Sequence, residues 1–357
     1  MQRVAAVVVT WDSAAHVARC LAALDALEHA PLELVVVDNA SADGTLAVVD
    51  RFLAGGPRHP VTVHRLPSNV GFCGGVNVAV RATDTDAVLL VNPDATLEPD
   101  ALTRMLAVLD AHPECGSVQP RVRRLPADPA DIGVPVTSTA AAGGTEALLD
   151  TTGHVLTRPR LVLNRHAGEP DDGRADTPGE VFGVSGALAL HRRSMLEDVA
   201  RGPAARREYL TEDLVAYFDD VELDLRARMR GWTARYEPTA VGHHARAGAS
   251  ARRRRRVRVL NLANHPLVVV GTEGAATLRR DAAVVVPLWL LRTVAAMVRS
   301  PLAMLLALVR LRALPAAVRR GRVDRARARV PLDAVLERWV EPLPRGWMAA
   351  ASRRALH

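Results

Sequence analysis

Four acids fall within six positions of one another, Asp219, Asp220, Glu222 and Asp224. Carboxylates this close repel and raise at least one proton affinity, which suits a general base or a metal site. Leu214, Phe218, Val221, Leu225 and Met229 keep helical spacing beside them, so one side of this segment is core and the acids occupy its start. An acidic first turn would also simply complement the helix dipole. A second carboxylate, Asp94, follows the apolar run Leu89–Val91 in an Asn92-Pro93-Asp94 turn. Such a rigid turn can hold a divalent cation that bridges two phosphates, although Asn-Pro-Asp is also ordinary turn chemistry. Adjacent histidines, His243 and His244, can ligate a metal or meet a diphosphate.

Two polar segments suit a nucleotide. Val35–Asp38 runs into Asn39-Ala40-Ser41-Ala42-Asp43-Gly44-Thr45, where a strand-end carboxylate can accept a base N–H and the next helix N-terminus can meet sugar or phosphate. Capping of that helix by Asp43 or Ser41 is the plainer reading. Asn69-Val70-Gly71-Phe72-Cys73-Gly74-Gly75-Val76-Asn77 places three glycines in five positions, which permits close backbone approach to a ligand.

The elements that must position these groups alternate. Buried β-type runs at Val4–Val9, Leu32–Val37, Val61–Leu66 and Ala87–Val91 are separated by helical spacing at Val17–Leu27, Thr45–Leu53 and Gly74–Ala82, with a further helix at Asp100–Ala111. This βαβ alternation predicts a parallel sheet with helices on both faces and ligands beyond the strand C-termini. Thr10–Asp12, Asp38–Ser41, Arg65–Phe72 and Asn92–Asp94 should therefore share one rim. Residues 121–180 are rich in Pro and Gly and read as an insertion of loops, with room for short strands. Order resumes at Val181–Leu190, continues as a helix from about Glu212 to Arg230 that Gly231 stops, and returns to strand at Trp232–Tyr236.

Composition narrows the chemistry. All 46 basic residues of the 357 are arginine, which excludes Schiff-base amines and lysine-dependent phosphate loops. Residues 1–250 carry a net charge of −9 and residues 251–357 a net of +16, so the tail's partner should be anionic. Cys20, Cys73 and Cys115 lie far apart with no CxxC pair, which argues against a disulfide framework or a structural zinc site and for a reducing cytoplasm. The apolar run at the N-terminus is too short for a signal peptide.

Taken in order, these segments resemble the family 2 glycosyltransferases of the GT-A fold, over roughly Val4 to Ser250. The similarity is greatest to rhamnosyltransferase-like members that act on polyprenyl-linked acceptors. The resemblance implies an α/β, Rossmann-like, mostly parallel sheet with helices on both faces. It divides the chain into a glycosyltransferase domain, 1–250 (a nucleotide-binding half, 1–120, and an acceptor half, 121–250), and a basic amphipathic helical tail, 251–357. It further implies that Thr10, Asp38, Asn39, Ser41, Asn69, Gly71, Phe72, Asn77 and Asn92 bind the nucleotide. Ser185 and Gly186, with Glu222, Arg226 and Trp232, would meet donor or acceptor sugar. Asp94 would bind a divalent metal, Mg²⁺ or Mn²⁺, with His244 or His243 as the late histidine contact. Asp220 would be the catalytic base, with Asp219 beside it. Asp219 and Glu222 each exchange Glu for Asp or Asp for Glu relative to the family motif, which keeps charge but moves the carboxylate by about one methylene.

The resemblance thus points to an inverting transferase moving a sugar, with rhamnose a candidate, from a dTDP- or UDP-sugar to a lipid-linked glycan in cell-envelope polysaccharide synthesis. A non-catalytic, membrane-docked nucleotide-sugar binder or assembly protein is the alternative. The tail contains Ala282–Val298 with one charge, Arg292, and a second apolar helix from Ser300-Pro301 to Leu314. Arg292, Arg299 and Arg310 would share one side of a nearly continuous helix, which favours helices lying in an anionic membrane interface on the cytoplasmic face over helices that span. With no Phe, Tyr or Trp between Tyr236 and Trp289, the arginine run lacks the stacking groups of a nucleic-acid site.

Overall fold

The computed structural model describes residues 2–125, 147–245 and 251–343, with backbone alone at 251–254. The loop expected around 126–146, Arg246–Ser250 at the end of the histidine segment, and the last residues of the tail lie outside the described residues. The described residues form two compact units: 2–125, 147–154 and 164–245 in one, and Val155–Leu163 and 251–343 in the other.

The first unit starts as the alternation predicts: β1 (Val4–Thr10), α1 (Val17–Asp25), β2 (Leu32–Asp38), α2 (Thr45–Ala54), β3 (Val61–Arg65), α3 (Gly71–Ala82), β4 (Ala87–Val91), β5 (Ala95–Leu97) and α4 (Ala101–Ala111). Then come β6 (Cys115–Arg124), β7 (Leu149–Thr151), then, largely in the second unit, β8 (His154–Thr157) and β9 (Val162–Asn164), and back in the first unit β10 (Gly179–Val181), β11 (Leu188–Arg192), α5 (Arg193–Val199), α6 (Asp219–Met229) and β12 (Thr233–His244). The large sheet runs β10-β12-β6-β11-β4-β1-β2-β3, with β5 on β12 and β7 on β6. Strands β3, β2, β1 and β4 are mutually parallel, in the register Thr10 opposite Asp38 and Asp38 opposite Arg65. Antiparallel β11 joins β4 to β6, and β6 pairs parallel with β12.

Helices cover both faces. Val4, Ala6 and Val8 pack with Leu24, Leu102 and Met105 of α1 and α4, while Gly75 of α3 lies against Val9 on the other face. Gly75 therefore serves helix-to-strand packing, where the sequence suggested approach to a ligand. A second correction concerns α6. The expected helix from Glu212 is broken: a short 3-10 turn, Glu212–Leu214, is followed by Val215, Tyr217 and Phe218 at φ of 66°, 68° and 64°. Regular helix begins only at Asp219.

The second unit is helical: α7 (Ala251–Thr272), α8 (Ala275–Arg299), α9 (Pro301–Arg310), α10 (Leu314–Ala326) and α11 (Leu332–Trp339), with β13 (Val340–Glu341) pairing β8. Two stretches, Ala275–Arg299 and Pro301–Ala326, are long and apolar enough to cross a membrane, with mean hydropathy 1.7 each. The nearly continuous helix is not observed, because Ser300 (φ −156°, ψ 63°) breaks it. Nor does Arg292 join a charged side: it donates to Nδ1 of His265 at 3.1 Å.

Candidate active site

The parallel strands deliver the predicted rim. At the end of β1, Thr10 Oγ1 donates to Asp38 Oδ1 at 2.9 Å, and Ser41 donates its hydroxyl to Oδ1 (2.6 Å) and its N–H to Oδ2 (3.1 Å). A carboxylate offers about four acceptor positions, so three of Asp38's are held by the chain. Asn39 spans to the glycine segment: its Nδ2 donates to Gly71 O and its Oδ1 accepts from Val70 N–H, both at 2.8 Å. Asn69 Oδ1 accepts from Gly71 N–H at 2.9 Å, ahead of half-buried Phe72 at the start of α3. Gly71 is required here for two reasons. Its φ is 83°, and a Cβ would lie 2.8 Å from Val215 O.

Asn92 N–H donates to Ala187 O at 2.8 Å, and Gly186 N–H donates to Asp220 Oδ2 at 3.1 Å. One loop, Ser185–Ala187, thus touches both the Asn92-Pro93-Asp94 turn and the acidic helix. Ser185 itself is anchored by its N–H on Gln119 Oε1 at 2.8 Å.

The four acids part company once folded. Asp220 keeps a side chain 24% exposed, at the first turn of α6. Asp219 is buried, and burial followed by repulsion from Asp220 pushes its pKa up to about 8. Glu222 is buried too, yet Arg201 (2.5 Å) and Arg226 (3.0 Å) overcome desolvation and hold it down at about 2. Asp224 is buried against His154, with Nδ1 to Oδ2 at 2.9 Å.

Strand alternation separates the two histidines. His243 turns toward Glu98 at 3.4 Å, whereas His244 is buried with Nε2 3.3 Å from Asp94 Oδ1 and Nδ1 2.9 Å from Asp150 Oδ2. Burial opposes its charge, but the bonds to Asp150 and Asp94 prevail and push its pKa up to about 9. Asp150 thereby fixes the ring with Nε2 toward Asp94, the arrangement that orients metal-ligating histidines. Among the described residues no cluster of three or more His, Cys, Asp or Glu forms a metal cage. Two donors fit a cation that takes its remaining ligands from diphosphate oxygens and water.

Several expected contacts are spent inside the protein. Asn77 is fully buried: its Oδ1 accepts from Tyr209 and Leu210 N–H, and its Nδ2 donates to Leu210 O and Glu212. It braces the loop before α6 and is not presented to a nucleotide. Glu222 and Arg226 form a buried pair, with Arg226 also donating to Val199 O and Tyr209 O, so neither is free for a sugar. Trp232 Nε1 donates to Asp198 at 2.9 Å beside Arg230, again a structural use. Sequence reasoning missed His154, Asp150, Gln119 and Arg201. Each lies in a stretch with little pattern of its own, and only the fold brings it to the site.

The glycosyl transferase family 2 model matches residues 5–199. The chain belongs to that family. It is a glycosyltransferase of the GT-A fold, and its relatives agree. An N-acetylglucosaminyl-diphospho-decaprenol L-rhamnosyltransferase of Mycobacterium tuberculosis is 27% identical over 69% of this chain and 77% of its own. A mannosyltransferase of Pyrobaculum calidifontis, solved with GDP-Man and Mn²⁺, shares the fold with a TM-score of 0.50 at 20% identity, over 94% of this chain and 86% of that one. S. aureus TarS 1–349 with UDP-GlcNAc gives a TM-score of 0.52 at 15% identity, over 93% and 89%.

Proposed function

We propose that this glycosyltransferase is inverting and moves a sugar, with rhamnose first among the candidates, from a dTDP- or UDP-sugar to a membrane-linked polyprenyl glycan. The observation that carries the reading is the Ser185–Ala187 loop, which ties the Asp94 turn to Asp220 through Asn92 and Gly186. The rhamnosyltransferase relative supports the donor and the acceptor class.

Asp220 is the general base. Its carboxylate takes the proton of an acceptor hydroxyl while that oxygen forms its bond to C1 of the donor sugar. The C1–O bond to the nucleoside diphosphate breaks on the opposite face, and its electron pair leaves with the phosphate. Gly186 N–H keeps Oδ2 aimed during this transfer. Asp94 and His244 would hold a Mg²⁺ or Mn²⁺, which supplies charge neutralisation for the diphosphate leaving group. Thr10, Asp38, Asn39, Ser41, Asn69, Gly71 and Phe72 shape the rim for base and ribose.

The helical unit suits the cytoplasmic face of a membrane as a peripheral anchor. Val294, Met297, Val298, Leu302, Leu305 and Val309 are each half or more exposed, an apolar face that water alone does not favour. With the tail's arginines it matches an anionic lipid surface.

Purified full chain, given dTDP-rhamnose and a synthetic N-acetylglucosaminyl-diphospho lipid, should release dTDP and form a product whose anomeric configuration is opposite to the donor's. A chain that neither transfers nor hydrolyses any of a panel of nucleotide sugars, yet binds one, would favour the non-catalytic binder.

A further inference from the structure

His154 opens β8, is 5% exposed, and faces two carboxylates at once. Its Nδ1 lies 2.9 Å from Asp224 Oδ2, and its Nε2 lies 3.6 Å from Asp220 Oδ2. Asp224 has no freedom to leave. Its Oδ1 accepts from Val184 N–H at 3.2 Å, and a Cβ on Gly183 would stand 1.8 Å from its Oδ2, so only glycine makes room for that carboxylate. The His154 N–H closes the same knot by donating to Gly183 O at 2.9 Å. A buried imidazole therefore bridges an inner acid, itself wedged in place, and an outer acid that reaches solvent.

We propose that His154, oriented by Asp224, is a positioning residue for Asp220: its Nε2–H, directed at Oδ2, holds that carboxylate in place and aimed at the acceptor. The inference rests on Asp220 being the base. In the transfer itself the acceptor proton goes to Asp220 and the C1–O pair to the diphosphate, while His154 keeps both of its protons.

The surroundings favour the charged ring. Burial opposes it, but Asp220 and the hydrogen bond to Asp224 outweigh burial, so the proton affinity of His154 is raised. The other titratable groups around Asp220 are neutral or already paired. His191 on β11 is pushed down to about 4 by burial and bonds Ser117 at 2.9 Å. Burial pushes the Cys73 thiol on α3 up, and the Asp219 carboxyl up to about 8. Glu222 is taken by Arg201 and Arg226. Among the described residues, His154 is the cation set against Asp220.

Two measurements on the full chain test this. In the first, histidine-selective ¹³C NMR follows the ring signal that is missing from His154→Gln. That ring should titrate above the ordinary histidine range and move down in both Asp224→Asn and Asp220→Asn. In the second, kcat is measured against pH with dTDP-rhamnose and the N-acetylglucosaminyl-diphospho lipid. His154→Gln should move the acid limb to higher pH and lower kcat about tenfold near neutrality, with donor KM unchanged, and Asp224→Asn should do the same more weakly. A merely structural histidine would lower activity evenly across pH. An inactive Asp220→Asn combined with an unmoved acid limb in His154→Gln overturns this inference alone, as does a ring that titrates normally and ignores both aspartates. An Asp220→Asn enzyme that keeps wild-type turnover overturns the base assignment, and this inference with it.

Discussion

Asp219 and Asp220 are consecutive at the start of α6 and live in opposite environments. The Asp219 carboxyl is only 4% exposed and its pKa is driven up to about 8, first by burial and then by Asp220. The Asp220 side chain keeps 24% of its surface and accepts the Gly186 N–H. One residue is a neutral wall of the site at neutral pH, and the other is the carboxylate that reaches solvent.

The buried partner makes stability depend on pH. The folded pKa of Asp219, about 8, lies above the unfolded value near 3.9, so the linked stability is whole below about pH 4 and is lost as pH rises through 8. Asp219→Asn cannot ionise. It should therefore melt higher than wild type at pH 8, with the gap closing toward pH 4. Melting curves at both ends decide, and a gap independent of pH would contradict burial of an ionisable group.

For Asp220, replacement by Asn keeps shape and the Gly186 bond but removes proton acceptance. Turnover should fall by about 10²–10⁴ while donor affinity stays within about twofold. Steady-state kinetics beside calorimetric donor titration would show this. Retention of more than about a tenth of turnover would move the base to another acid.

Nucleotide affinity should need both Asp94 and a divalent cation. Calorimetry of dTDP or UDP with Mn²⁺ should lose most of its heat in EDTA, in Asp94→Ala and in His244→Ala, whereas His243→Ala should bind as wild type. Undiminished binding in EDTA would remove the metal from this site.

Glu222 should behave as a stability residue. Glu222→Gln leaves Arg201 and Arg226 facing a neutral side chain in a buried setting, at a cost of about 3–5 kcal/mol. A large fall in melting temperature with donor affinity retained by the folded fraction is expected. Loss of sugar binding with full stability would restore the contact that family resemblance implies.

The apolar face of α8 and α9 should hold the chain to lipid. Full-length protein should sediment with phosphatidylglycerol vesicles, and salt should weaken the binding without abolishing it, because apolar burial is not screened. Val298→Glu with Leu305→Glu should release it. Vesicle binding that survives the double substitution would assign adhesion to arginines alone.

Much of this was legible because it is local. Mostly apolar runs rich in valine gave β1, β2 and β4 nearly to the residue, and their parallel order gathered Thr10, Asp38 and Asn92 on one rim. The pairing of Glu222 with Arg226 four residues on is equally local, although the resemblance assigns both to a sugar. What could not be read depends on chain distant in sequence. Asn77 turns inward because a loop 132 residues away needs its amide. The interruption of the expected helix at Val215–Phe218 depends on contact with Gly71, and no local propensity announces it. His154 stands alone in its segment, and its meaning comes from acids about 70 residues later.

That contact between Gly71 and Val215 has a thermodynamic consequence. Cys73 N–H donates to Val215 O at 3.1 Å, and Val215, Tyr217 and Phe218 hold left-handed backbone that persists only where neighbours enforce it. The glycine segment that opens α3 and the turn that launches α6 are thus mechanically one piece. Perturbations at the two ends should not be additive. In a double-mutant cycle, Gly71→Ala and Val215→Gly should show an interaction energy of about 0.5–3 kcal/mol, with the second change relieving the part of the crowding that comes from the Val215 side chain and leaving the part from its backbone oxygen.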